Sequence, residues 1–362
     1  MLQIKTFNNY LPERFSRFHT FTKISRMVAR NVSLRNLNTF GLDYRADYLV
    51  TVSSESEILQ FLNSEFGNIR PLLIIGAGSN ILFVNDFHGI ILRPDIKNIY
   101  VEDENSGRVI VSAGSGIKWD DFVRWAVNRN LWGIENLSYI PGTVGATPVQ
   151  NIGAYGEEVK DHIYEVRAIS LEDGSVKSFS KGECHFGYRD SIFKNKLKGK
   201  YIITRVFYEL ERSREPNLSY GVLKDEVLNS GEITLESIRE AVIRIRKSKL
   251  PEPETLGNAG SFFKNPVVDA VTAEIMKSKY PSMPVFPHNG RRMKISAGWL
   301  IEQCGWKGKR HGNAGVFEKQ ALVIVNYGKA TGEEILRLSE MIQKSVHEKF
   351  GIILEREVEV VV

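Results

Sequence analysis

Two long stretches of this chain, Pro71–Asn85 and Asn136–Gly156, carry no charged residue. Gly, Pro, Ser and Asn break both too often for either to cross a membrane. An uncharged irregular stretch as long as the second is uncommon in a compact domain unless it is functional. Its 362 residues suffice for two or three domains, and 42% hydrophobic with 25% charged residues is the balance of a globular protein. The net charge of +5 resides entirely in residues 1–30, which hold six Lys or Arg against Glu13 alone. The body is charge-balanced, which argues against a nucleic-acid partner. The basic leader resembles a transit peptide superficially, but the reading preferred here is a non-native or disordered extension, residues 1–30, with Met27 as an alternative start. Two cysteines, Cys184 and Cys304, are too few for a disulfide framework and are expected to be buried thiols.

Local patterns place the elements. Ala46–Val52, Pro71–Ile75, Ile81–Val84, Ile90–Leu92, Ile99–Val101, Val109–Ala113, Ile163–Leu171 and Tyr201–Leu210 read as strands. Ser54 with Glu57 opens one helix, Trp119–Asn128 is a second and Thr234–Lys247 a third. Ala297–Cys304 is a short helix and Ala321–Asn326 a strand. Thr331 and Glu334 open the last helix, which Gly351 closes before a terminal strand Ile352–Val362. Short strands interleaved with helices predict an α+β protein of at least two domains.

Five segments could carry chemistry. The apolar run Leu72–Ile75 delivers the turn Gly76-Ala77-Gly78-Ser79-Asn80, followed by Ile81. Glycines there let backbone N–H groups converge on a phosphate, although a purely structural turn would use the same residues. A strand rather than a helix follows, so this is not the usual dinucleotide fingerprint. The second segment runs from Ile140-Pro141-Gly142 past Gly145 to Gln150 and Asn151, offering backbone donors and neutral amides to a polar ring edge. An ordered surface loop is the alternative. In the third, Arg189 stands among aromatics, where burial would demand an anionic or carbonyl partner; a surface ion pair with Asp190 or across a strand is the alternative. In the fourth, Ser261 precedes two phenylalanines with no His nearby in sequence, so a proton donor suits it better than a nucleophile, although the residues alone favour a Ser that simply bonds backbone in a turn. In the fifth, strand alternation puts Glu355, Glu357 and Glu359 on one face, where at least one needs a special partner unless the face is a solvated edge, and the pattern does not single one out. The seven histidines show no metal-ligand spacing, and no metal is assigned.

At these segments the chain closely resembles the bacterial UDP-N-acetylenolpyruvoylglucosamine reductases. The resemblance extends, in order, through Asn38-Thr-Phe-Gly41, Lys249-Leu-Pro251, Asn258–Pro266, Ala297–Ile301 and Gln320–Val323. It implies an FAD-binding fold of the vanillyl-alcohol-oxidase or p-cresol-methylhydroxylase type. Residues 31–212 would form two subdomains, about 31–92 and 93–212, and 213–362 a substrate-binding α+β domain. It implies non-covalent FAD, NADPH as co-substrate, and a nucleotide-sugar reduced to UDP-N-acetylmuramate for peptidoglycan. A cytoplasmic monomer with no membrane partner is expected. The resemblance further implies that Arg189 and Glu357 stabilise an enolate-like intermediate and Ser261 donates the proton. Gly76, Ala77, Gly78, Ser79, Asn80, Ile81, Ile140, Pro141, Gly142, Gly145 and Gln150 would hold the cofactor. Tyr155, Tyr188, Arg246, Lys249, Asn265 and Gln320 would contact the substrate, with Tyr220 in a lid over the uridine diphosphate. Two alternatives stay open: another flavin oxidase of that fold, and a non-catalytic nucleotide-sugar-binding module.

Overall fold

The computed structural model describes residues 26–229 and 231–362, together with Ile24. The first layer is a four-stranded sheet. Arg45–Val52, Phe87–Pro94 and Leu72–Ile74 run parallel, and Val28–Ser33 pairs antiparallel on the outer edge. Strand pairing thus begins at Val28, inside the segment expected to be an extension. Arg30 pairs with Tyr48, Met27 packs on this layer's core, and Ile24 is buried in it. Residues 1–23, most of the basic leader, lie outside the described residues. The helix Glu55–Leu62 covers the sheet, started by Ser54, whose hydroxyl accepts the Glu57 N–H at 3.2 Å.

The second layer is a five-stranded antiparallel sheet ordered Val176–Ser180, Ile163–Ser170, Tyr201–Glu211, Arg108–Gly114, Ile99–Asn105. Trp119–Val127 packs Trp119, Phe122 and Val123 into its core, where Trp119 donates its indole N–H to the Leu137 carbonyl at 2.7 Å. Helices Gly221–Leu228 and Leu235–Lys249 form their own small core with Trp132 and Tyr155. Arg239 on the second of them grips Asp120 through two hydrogen bonds of 2.6 and 2.7 Å. These two helices, grouped by sequence with the C-terminal domain, are thereby seated on the second layer.

The remaining chain builds a sheet of Gly257–Ser261, Val323–Asn326, Ala314–Val316 and Arg310–His311, beside a small three-stranded one. Gly332–Phe350 packs on it, opened by a complete Thr331/Glu334 capping box and closed by Gly351 at φ 69°. Phe40, Leu82 and Val84, from segments that connect the strands of the first layer, enter this core. The terminal strand is interrupted rather than continuous. Residues 355–357 bond to 262–264, and only Glu359–Val361 forms a strand, parallel to Ile81–Phe83. Among the described residues no helix is long and apolar enough to cross a membrane.

Candidate active site

A cavity of ≈ 280 Å³ runs between the two N-terminal layers to the returning C-terminus. The strand Leu72–Ile74 ends at its wall, and residues 76–81 turn across it. Ser79 Oγ donates to the Pro141 carbonyl at 3.1 Å, which ties that turn to the second glycine-rich loop. Gln150 Oε1 accepts from Asn80 Nδ2 at 2.6 Å, and the same amide donates to the Glu357 carbonyl at 3.0 Å. All eleven residues expected at a cofactor line this cavity except Ile140, which lines a second cavity of ≈ 970 Å³ on the far side of the same loops.

The residues present fit an extended dinucleotide such as FAD. Gly78 sits at φ 64°, and a Cβ on it would meet the Leu37 carbonyl oxygen at 1.9 Å. A Cβ on Gly76 would meet Thr143 Oγ1 at 2.4 Å, so only glycine lets the two loops close. Among the described residues no protein acceptor takes the N–H groups of Gly76 to Asn80. Ser115 Oγ, on the cavity wall, is likewise buried without a partner. Such a row of unused donors is a cradle for a pyrophosphate. Among the described residues no Cys or His lines this cavity to tether a flavin covalently.

At one end of the cavity stands the charged cluster. Gly187 and Asp190 bond across a tight turn that presents Tyr188 and Arg189, with Arg189 in the left-handed region at φ 54°. Arg189 donates to the carbonyls of Asn151, at 3.2 Å, and Gly153. Its Nε lies 3.3 Å from Glu357 Oε1, both side chains being largely buried. Burial pushes the Glu357 carboxyl up from the usual carboxylate value, while Arg189, Lys194 and Lys264 pull the other way. The three glutamates expected on one face have separate partners: Glu355 pairs with Lys264 at 2.5 Å and Glu359 with Lys198 at 2.7 Å. Of the three, Glu357 is the most enclosed, its side chain 15% exposed against 71% for Glu355. Ser261 comes to the same place through its neighbour, since the Phe262 carbonyl accepts the Glu357 N–H at 2.9 Å. A bulge with Gly260 at φ 66° sets Ser261 at the end of its strand.

The expected substrate residues fall into groups. Tyr188 neighbours Asn265, whose Oδ1 accepts the Ala297 N–H at 2.9 Å. Gln320, just before the strand Val323–Asn326, brings its side chain against Gly298 near the start of the helix Ala297–Gln303. Tyr155, at φ 48°, meets Tyr220 edge-to-face at 5.4 Å, with Arg246 nearby. Lys249 ends its helix half-buried, without an ion pair among the described residues. Sequence reasoning passed over Ser115 and Lys194, which also line the cavity. Ser115 lies in a second run of small residues after a strand, 112–116, and Lys194 closes the segment that holds Arg189, so both left a signal.

Residues 252–361 match the family model for the C-terminal domain of UDP-N-acetylenolpyruvoylglucosamine reductase, and residues 46–180 match that for an FAD binding domain. The reductase of Flavobacterium johnsoniae is 46% identical over 92% of this chain and 99% of its own length. The chain belongs to the UDP-N-acetylenolpyruvoylglucosamine reductase family. The family's Pseudomonas aeruginosa member is 42% identical over 92% of this chain and 99% of its own. The crystal structure of the Thermus caldophilus reductase, 25% identical, superposes with a TM-score of 0.65, covering 92% of this chain and 98% of that one. The architecture is accordingly the family's FAD-binding fold with the reductase C-terminal domain, and the chain is an FAD-dependent oxidoreductase.

Proposed function

We propose that this cavity reduces the enolpyruvyl group of UDP-N-acetylenolpyruvoylglucosamine to give UDP-N-acetylmuramate, with NADPH as reductant, for peptidoglycan synthesis. The observation that carries the assignment is the buried Arg189–Glu357 pair, 3.3 Å apart, at the end of a glycine-lined cavity. Bound FAD supplies the two-electron chemistry, from NADPH to the enolpyruvyl C3, that no side chain offers. The turn 76–81, the loop 140–145 and Gln150 would hold it. Addition at C3 builds negative charge at C2 and on the adjoining carboxylate. Arg189, aimed by two carbonyls, is placed to stabilise that charge, an effect typically worth about 3 kcal/mol. Ser261 would give the proton to C2, with Glu357 and the neighbouring lysines shaping the field around it. Tyr155, Tyr188, Tyr220, Arg246, Lys249, Asn265 and Gln320 would bind the nucleotide-sugar. On this reading the protein works as a cytoplasmic monomer. The purified protein should be yellow, bleach with NADPH under anaerobic conditions and recover its colour on addition of the enolpyruvyl substrate. Recovery with oxygen and a small alcohol instead would favour an oxidase, and a colourless protein a binding module.

A further inference from the structure

Beside the cavity, and using none of its lining residues, lies a buried polar cluster with no part in the chemistry above. Glu157 is its centre, with its side chain 6% exposed. One carboxylate oxygen accepts from Arg214 at 3.0 Å and from Asn217 at 2.9 Å; the other faces His162 Nε2 at 3.0 Å. A carboxylate removed from water needs such partners, and the partners are themselves held by it. The bonds run outward to two segments. Asn217 donates to the Gly156 carbonyl at 3.2 Å, and its own oxygen accepts from the N–H and hydroxyl of Ser219 at 3.2 and 2.6 Å. Asn136 ties the same segments together, donating to the Tyr155 carbonyl at 3.0 Å and the Asn217 carbonyl at 2.8 Å.

The segments concerned carry Tyr155 and Tyr220, whose rings meet at 5.4 Å. Both need holding. Tyr155 and Gly156 stand at φ 48° and 85°, a conformation that Tyr adopts at a cost. Residues 214–219 form no helix or strand, so side-chain bonds must fix the approach to Tyr220. We propose that Glu157 is a positioning residue for nucleotide-sugar binding: through Arg214, Asn217 and His162 it sets the Tyr155 and Tyr220 rings, without touching either the cofactor cavity or the reacting atoms. The inference rests on the assignment of that aromatic pair to the nucleotide-sugar.

The test compares Glu157→Gln, Tyr220→Ala and the double variant in the FAD-loaded enzyme. Loss of one charge-assisted hold should raise KM for the nucleotide-sugar roughly tenfold in Glu157→Gln, with kcat little changed. FAD content and the rate of bleaching by NADPH should stay at wild-type values. The double variant should lose less than the two single losses combined, since Tyr220→Ala already removes one of the two rings that Glu157 sets. Hydrogen exchange should quicken at 213–220 and not in the strand Arg45–Val52. If Glu157→Gln lowers the melting temperature but leaves KM unchanged, or slows both half-reactions alike, the inference is overturned. If Tyr220→Ala leaves KM unchanged, the aromatic-pair assignment falls and this inference with it; KM raised by Tyr220→Ala but not by Glu157→Gln overturns the inference alone. Should Glu157→Gln fail to accumulate as a folded flavoprotein, Asn217→Ala reads the same link from the other side, with the same outcomes deciding.

Discussion

At the scale of single residues, the returning C-terminus sorts three similar carboxylates into different chemistry. Glu355 and Glu359 each pair with a lysine near solvent, whereas Glu357 is buried against Arg189. Glu357→Gln is therefore expected to slow flavin reoxidation by the substrate by about 10²–10³-fold, with FAD retained, and the same change at 355 or 359 far less. Stopped-flow traces of the second half-reaction decide; comparable losses at 355 and 357 would refute the assignment. Burial holds the Glu357 carboxyl above its ordinary value of 4.5, so the protonated form favours folding. That contribution is complete below the ordinary value and is lost as pH rises through the folded-state value. The wild type should accordingly lose stability relative to Glu357→Gln as pH rises from about 4 toward neutrality. Melting curves of the two proteins across that range check the sign, and the opposite slope would mean that Arg189 and the lysines keep the group ionised. Ser261→Ala should spare NADPH reduction of the flavin while slowing reoxidation about 10²–10⁴-fold, because a proton donor acts in the second half alone. An equal loss in both halves would make Ser261 a structural residue.

Among the elements, the loops matter more than the strands they join. Tyr139 precedes the cofactor loop and stands at φ 60°. Three groups hold it: Asp120 accepts its N–H at 2.6 Å, Arg246 donates to its carbonyl at 2.9 Å, and its hydroxyl bonds Glu252 at 2.5 Å. Burial and Glu252 push the Tyr139 phenol up to about 12, so it donates as the neutral form. The clamp fixes how the loop 140–142 enters the cavity. Glycine adopts this backbone freely and valine does not, at a cost of roughly 1–2 kcal/mol. Tyr139→Val should therefore weaken FAD binding more than Tyr139→Gly, read as dissociation constants on reconstituting the apoprotein. Equal weakening would place the effect in the lost ring and hydroxyl. The glycines of these loops were legible in sequence, since no other residue permits such close approach. The left-handed Tyr139, Asn151, Tyr155 and Arg189 were not. Their strain is sustained by hydrogen bonds from distant segments, which local pattern does not carry.

Across the whole molecule, the C-terminus closes the site by pairing Glu359–Val361 with Ile81–Phe83, the strand that leaves the cofactor turn. Ile24 and Met27 pack into the core of the first layer. A chain begun at Met27 should keep FAD and turnover but forfeit the burial of Ile24, at most about 2 kcal/mol. Melting temperature and flavin content of the two forms test this, and loss of FAD from the shorter chain would refute it. Sequence alone determined the α+β class, most element positions and the family's motif residues, because hydrophobic period, caps and glycine requirements are local properties. Tertiary structure decided the rest. It paired Arg189 with Glu357, separated three glutamates that alternation had put together, and seated helices 221–249 on the second layer. Each of these depends on contacts between residues far apart in the chain, and burial, which sets the strength of every charge among them, exists only once those contacts form.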